Sequence, residues 1–344
     1  MHNRDRSGSG VPSAPVVGEL GRRRVRGLGP QGKIGVVSPA SRVERSALDA
    51  GCRALGAMNG WQVLTSPFAL QTDGGFAGGA AMRAAELMEM WQRDDVDVVM
   101  CSRGGYGANY LLPLLDFDAL RMTPKAFVGY SDNTCLLLAL ERAGLVAFHG
   151  PMVASDFACG GADERSFRAA LGGEALDLAF NADSRIQTLI AGEARGPITG
   201  GCLSVVVTSL GTPWEIETEG KVLFLEDVNE KPYRIDRMLR HLLLAGKLDG
   251  VRGIIFGAMR ACAPESPDEE PLAKTILRVL EGLHVPIVLG LPSGHVAQDN
   301  ITLPFGVPAV LFAGETSIRL QVEPATFVAS HPSVPTTGAP EPHS

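Results

Sequence analysis

The chain has 344 residues, more than one ordinary core needs, so two domains are the default reading. With 45% apolar and 20% charged residues it has the composition of a folded protein, which excludes intrinsic disorder as its main state. A net charge of -7 argues against a nucleic acid or an anionic membrane surface as the main partner.

Residues 1 to about 30 are rich in Gly, Ser, Pro and Arg and read as a disordered leader. Arg22-Arg-Arg24 is basic, but no apolar run follows it, so no secretory signal is read there. Gly27-Leu-Gly-Pro-Gln-Gly32-Lys33 nearly spells a phosphate-binding loop. Ile34 stands in place of Ser or Thr, and the run precedes a strand, so both facts count against nucleotide binding. Lys33 to Ser38 is a buried-type strand, followed by a helix from about Val43 to Met58 and a strand from Trp61 to Thr65. A Gly-rich loop, Asp73 to Gly79, leads into a helix near Ala80 to Gln92. Strands follow at Val96 to Met100, Ala126 to Gly129 and Leu145 to Phe148. Apolar strands alternating with helices predict a parallel sheet covered on both faces.

From Ala154 to about Ala194 the pattern breaks down, and 156–195 reads as a connector between a nucleophile domain (31–155) and a second domain (196–328). Order resumes at Gly196-Pro-Ile-Thr-Gly-Gly201, and Lys221 to Leu225 is a strand ending at Glu226. Pro232 to Ala245 is an amphipathic helix, with Ile235, Met238, Leu239, Leu242 and Leu243 on one face. A strand Gly253 to Phe256, an acidic loop 261–270, a helix Leu272 to Leu283 and a strand Pro286 to Leu289 follow. Segments 301–303, 309–312 and 317–322 read as β structure that closes the second domain. The stretch after Ser330 (329–344 in the domain division) reads as a disordered tail, and no internal repeat is visible. The six cysteines show no Cys-x-x-Cys pairing and sit mostly in apolar runs, as small buried hydrophobes of a reducing compartment do. No apolar run reaches the ~18–20 residues that a membrane helix needs.

Ligands bind such sheets beyond the carboxyl ends of the strands, and chemistry-bearing residues cluster there. Ser131 follows strand 126–129 and opens an apolar helix, the layout of a nucleophile elbow, whose next amide can face a developing oxyanion. Gly129 holds the first glycine position of Gly-x-Ser-x-Gly, but Asn133 replaces the second. A serine N-cap is the competing reading. Arg103-Gly-Gly-Tyr-Gly107 is a glycine-rich turn that either frees backbone amides for a ligand or is only a tight turn. Of seven histidines, His149 and His295 lie in Gly-flanked loops at strand ends and are candidate bases. Glu226 and Asp227 are candidate orienting acids, with ion pairing to Arg234, Arg237 or Arg240 as the alternative.

Six blocks then carry a resemblance. They are Cys101-Ser-Arg-Gly-Gly-Tyr-Gly-Ala-Asn-Tyr-Leu-Leu-Pro-Leu-Leu-Asp116, Val128-Gly-Tyr-Ser-Asp132, Phe148-His-Gly-Pro151, Leu223-Phe-Leu-Glu-Asp-Val228, Pro232-Tyr-Arg-Ile-Asp-Arg237 and Leu291-Pro-Ser-Gly-His295. In order and kind they resemble the serine-type L,D-carboxypeptidases, the muramoyltetrapeptide carboxypeptidase family, over about residues 33–322. The resemblance implies two α/β domains: a flavodoxin- or Rossmann-like parallel sheet with the elbow, and a smaller mixed β/α domain. It implies a Ser131–Glu226–His295 triad split over both domains, with His149 a structural neighbour. The oxyanion would be held by the amide of Asp132 and one from Gly104 or Gly105. Arg103, Tyr106 and Arg234 are candidate substrate-binding residues, the two arginines as cations for a terminal carboxylate. The resemblance further implies a cytoplasmic homodimer that releases D-alanine from murein tetrapeptides, with no metal or cofactor. Asn133 departs from the hydrophobic residue usual in the family, and a local packing effect is expected. Two rivals stand beside this reading: a relative of the same family that cleaves peptidyl- or aminoacyl-nucleotide antibiotics, and a non-catalytic protein that binds in the cleft.

Overall fold

A computed structural model describes residues 24–183, 185–266 and 270–328. The expected tail and the first 23 residues of the expected leader lie outside these. The described end of that leader is ordered: β1 (Val25–Arg26) pairs in parallel with β16 (Thr326–Phe327), Val25 and Leu28 are buried, and Arg26 contacts Asp97 at 2.6 Å. The disordered reading therefore fails from Val25 onward, because two apolar side chains and an ion pair tie this segment down.

The first sheet is built from β2 (Lys33–Val37), β3 (Gln62–Thr65), β4 (Val98–Cys101), β5 (Ala126–Gly129) and β6 (Ala147–His149), all parallel. Their spatial order, β6-β5-β4-β2-β3, is the flavodoxin-like winding. β4 and β5 are buried at every position, as strands covered on both faces must be. Helices α1 (Arg45–Asn59), α2 (Ala80–Gln92), α3 (Phe117–Met122) and α4 (Thr134–Arg142) connect them; α2 packs on β2, and α4 on β6.

The segment expected to be a connector is instead structured. It holds α5 (Glu164–Gly172), β7 (Leu176–Asn181), β8 (Gln187–Ile190) and the start of β9 (Gly192–Cys202). β7 and β8 are the two edges of the second sheet, ordered β7-β15-β14-β9-β10-β11-β12-β8. Both are short edge strands, Leu-Asp-Leu-Ala-Phe-Asn and Gln-Thr-Leu-Ile, and the Gly-Gly pairs 160–161 and 172–173 before them mask their weak strand pattern. In the second sheet, β9, β10 (Val222–Val228), β11 (Gly253–Arg260) and β12 (Ile287–Leu289) are parallel. β14 (Pro308–Ala313) and β15 (Ser317–Val322) add antiparallel pairs. Helices α6 (Leu203–Ser209), α7 (Pro232–Leu244) and α8 (Leu272–Val279) complete this half. The apolar face expected of α7 is realised, with Ile235, Leu239 and Leu242 fully buried and Met238 and Leu243 partly so.

β13 (Leu303–Phe305) also differs from expectation. It does not close the second sheet but pairs antiparallel with β6, as a sixth strand of the first. One apolar core accordingly runs through both halves, with Phe127 and Phe148 of the first packed in the same cluster as Phe224 of the second. Among the described residues no helix is long and apolar enough to cross a membrane.

Candidate active site

The chain turns sharply where β5 ends. Tyr130 is extended, Ser131 has φ 62°, and one 3-10 turn, Ser131–Asn133, leads into α4. A non-glycine residue in the left-handed region costs roughly 1–3 kcal/mol and persists where its surroundings enforce it. Gly129 permits the fold-back: a Cβ there would meet Cys101 Sγ at 2.8 Å and Asn133 Cβ at 3.2 Å. No side-chain cap closes this helix start. The Ser131 hydroxyl lies instead 3.1 Å from His295 Nε2. The elbow layout therefore fits better than the N-cap alternative.

Asn133 is fully buried, and its Nδ2 donates to the carbonyls of Arg103 and Tyr130, both at 3.3 Å. The departure at this position is thus a polar tie between the elbow and the turn after β4.

Glu226 reaches the serine through the histidine. It occupies a register shift between β10 and β11, a local irregularity of the kind that re-aims a side chain. Its Oε2 accepts from His295 Nδ1 at 2.6 Å and from the His295 amide at 3.1 Å. The carboxyl is fully buried, which opposes ionisation, but the imidazoles of His149 and His295 outweigh burial and hold it at about 2. Burial likewise opposes a cationic His295, and the hydrogen bond and charge of Glu226 overcome this and raise its pKa.

His149, the other candidate base, is fully buried and lies 3.7 Å from the second Glu226 oxygen. Its ring stacks on Phe305 and meets Phe224 at a tilt, and its Nδ1 is 3.2 Å from Ser293 Oγ. It does not line the pocket beside Ser131. Asp227 does not join the relay. Its Oδ2 takes the amide of Ser204 at 2.8 Å, as a helix-capping carboxylate does.

The turn after β4 packs directly on the serine. A Cβ on Gly104 would sit 2.9 Å from Ser131 Cβ and 3.2 Å from its Oγ. Gly105 has φ 113°, and a Cβ there would strike Ser41 Oγ, which accepts the Tyr106 amide at 3.0 Å. Asp132, the residue after the serine, points its side chain away into the protein, where it accepts the amide of Ala108 at 2.8 Å. Burial raises its pKa, against the opposing pull of that amide and of Arg83. Arg83 braces the same turn from below, donating to the Gly107 carbonyl at 2.8 Å and to the Pro39 carbonyl.

A pocket of about 410 Å³ opens over this cluster, lined by Arg103, Gly104, Gly105, Ser131 and His295, with Met152 among the apolar walls. Arg103 is thereby at the pocket. Tyr106 does not line the pocket; its side chain is exposed, in an aromatic group with Phe76 and Tyr110. Arg234 is not brought to the pocket; it lies on the exposed face of α7, against Tyr233 and Glu230. Sequence reasoning missed Arg83 as a brace of the turn beside Ser131, since an isolated polar residue carries no local pattern. Among the described residues, no group of three or more His, Cys, Asp or Glu is arranged to hold a metal ion.

A serine held in a strained turn, hydrogen-bonded to a histidine whose other nitrogen meets a buried carboxylate, is the constellation of serine hydrolases. The sequence agrees with that class and narrows it. The LD-carboxypeptidase N-terminal domain matches residues 34–150, and the LD-carboxypeptidase C-terminal domain matches 195–311. A Streptomyces coelicolor protein classed as a carboxypeptidase is 40% identical over 302 residues, 85% of this chain and 94% of the relative. The murein tetrapeptide carboxypeptidase of Pseudomonas aeruginosa is 30% identical over 81% of this chain and 93% of its own. The crystal structure of muramoyltetrapeptide carboxypeptidase from Oxalobacter formigenes superposes with a TM-score of 0.77 at 29% identity, over 86% of this chain and all of that one. The microcin C7 self-immunity protein MccF of Escherichia coli is 27% identical over 72% of this chain and 80% of its own. The chain belongs to the LD-carboxypeptidase family of hydrolases.

Proposed function

We propose that this protein is a serine carboxypeptidase that removes the terminal D-alanine from murein tetrapeptides by cleaving an L,D-peptide bond. The observation that carries the reading is the continuous hydrogen-bonded series from Ser131 through His295 to Glu226 at the wall of the pocket. Ser131 Oγ attacks the scissile carbonyl while His295 Nε2 takes its proton. Glu226 holds the imidazole tautomer and stabilises the cation that forms. The amide of Asp132 and one from Gly104 or Gly105 receive the oxyanion, and losing one such donor would cost about 3–4 kcal/mol of barrier. His295 then protonates the departing amino group of D-alanine, and water releases the acyl-enzyme. Arg103 is the cation best placed for the terminal carboxylate, since it lines the pocket and Arg234 does not. All six cysteines are free thiols, which suits work in the cytoplasm, and a homodimer follows from the family resemblance.

The test compares kcat/KM for tetrapeptides ending in D-alanine, in L-alanine and in D-alaninamide. The amide would leave a cation without its partner, and the L-isomer would present its carboxylate in the wrong direction, so both are expected to be much poorer substrates. Equal rates on all three would overturn the D-specific carboxypeptidase reading. Faster turnover of an aminoacyl-nucleotide conjugate than of the tetrapeptide would assign the chain to the branch represented by MccF.

A further inference from the structure

We propose that Asp156 and Asn300 form a positioning clamp that sets His295 against Ser131, an inference that rests on the reading of those two residues as base and nucleophile. Asp156 lies on the loop after β6, with 3% of its surface exposed, and Asn300 is fully buried. Asp156 Oδ1 accepts from Asn300 Nδ2 at 3.0 Å and from the Tyr130 hydroxyl at 3.3 Å. Its Oδ2 accepts from the Met152 amide at 2.9 Å and from Ser155 Oγ at 2.7 Å. Asn300 Oδ1 in turn accepts the Gly294 amide at 2.9 Å.

The connectivity gives these contacts their meaning. Tyr130 immediately precedes Ser131, and Gly294 immediately precedes His295. One buried carboxylate thus reaches the residue before the nucleophile directly and the residue before the base through one amide. The ring of Tyr130 also meets the His295 ring edge-on, with centroids 5.1 Å apart.

Neither end of the clamp has slack. Asn300 is fixed through its backbone, its N–H donating to Gly161 at 2.8 Å and its carbonyl accepting from Asp163 at 3.1 Å. Gly294 has φ 101°, and a Cβ there would lie 2.4 Å from Glu226 Oε2. Ser131 is on the first half of the chain and His295 on the second, so their register depends on a fixed point shared by both. Asp156 supplies it.

The test uses the full-length protein and the variants Asp156→Asn, Asn300→Asp and the double exchange. Asp156→Asn sets amide donors against one another, and Asn300→Asp sets two carboxylates at hydrogen-bond distance. The double exchange restores a complementary pair. The amide introduced at position 156 then donates to one oxygen of the carboxylate introduced at position 300, whose other oxygen still takes the Gly294 amide. Measured are kcat and KM on the D-alanine tetrapeptide, the rate of Ser131 labelling by a fluorophosphonate, and Tm. Each single variant is expected to lower kcat and labelling on the order of 10- to 100-fold with KM nearly unchanged, since misplacement by about 1 Å costs that much. The double exchange is expected to regain most of both. Single variants that keep over half of wild-type kcat, or a double exchange no better than the singles, would overturn the clamp. Labelling undiminished in the variants would remove the clamp alone. No labelling of wild-type Ser131 would remove the nucleophile reading, and the clamp with it.

Discussion

Glu226 holds His295 twice through a single oxygen, accepting from the ring Nδ1 at 2.6 Å and from the backbone amide of the same residue at 3.1 Å. The carboxylate accepts from Nδ1, so that nitrogen carries a proton, and the neutral ring must present its Nε2 lone pair to Ser131. The tautomer a general base needs is therefore set by the second half of the chain before any substrate arrives.

Ser131→Ala is expected to lower kcat by about 10⁴- to 10⁶-fold, the range spanned by the removal of single members of such a triad. Alanine in place of serine at φ 62° adds no new bulk, so Tm is expected to stay near that of the wild type. Purified variant that keeps a tenth of wild-type turnover would identify a different nucleophile.

The two candidate histidines separate by kind of loss. His295→Ala is expected to abolish turnover with a small change in stability. His149→Ala is expected to retain much more of its kcat but to lower Tm, because the ring is fully buried against Phe224 and Phe305 and its removal leaves a cavity. Comparing kcat at a temperature where both variants are fully folded decides the matter, and the reverse ranking would make His149 the base.

The pH profile follows from the same pair. His295 must be neutral to accept a proton, and its pKa is raised by Glu226, so kcat/KM is expected to climb with pH through a value above the ordinary 6.5. In Glu226→Gln the acid limb is expected to move to lower pH while the plateau falls. Stability changes in the same sense, rising with pH, but in a lower window. The folded Glu226 carboxyl, at about 2, lies below its ordinary 4.5, so its stabilisation is present above 4.5 and is lost as pH falls toward 2. The difference in unfolding free energy between wild type and Glu226→Gln should narrow across that window. An acid limb unmoved by the substitution would break the proposed link.

Gly104→Ala is expected to cut turnover at least tenfold, because an added methyl would press on Ser131 Cβ at 2.9 Å and crowd the oxyanion position. Gly75→Ala is a control in open space on a neighbouring loop and should leave kcat unchanged. If Gly104→Ala keeps full turnover, the turn after β4 does not border the reacting atoms.

The sequence revealed what repeats or clusters locally. The periodic face of α7, the apolar run of β5 and the blocks around Ser131, Glu226 and His295 were all legible before the fold was known. Pairings that join distant segments were not. Nothing in Leu303–Phe305 announces that it pairs with β6, and nothing around Asp156 or Asn300 marks a contact that spans 144 positions. Short, half-buried edge strands such as β8 offer a weak apolar signal, which is why 156–195 read as a connector. The placement of Arg234 was misjudged for a related reason: spacing fixed its helix, but only the packing of α7 decided which way it faced.

The pairing of β13 with β6 has a consequence for how this chain can be divided. The two matched halves look separable in sequence, at residues 34–150 and 195–311, yet the second lends a strand to the first. A fragment cut after the first half would present β6, with Phe148 and His149, as a bare strand edge, and such edges recruit other chains. Evolution or an engineer could therefore not exchange one half for a foreign one by joining at the apparent seam. Residues 303–305 would have to remain with the first half as part of the graft.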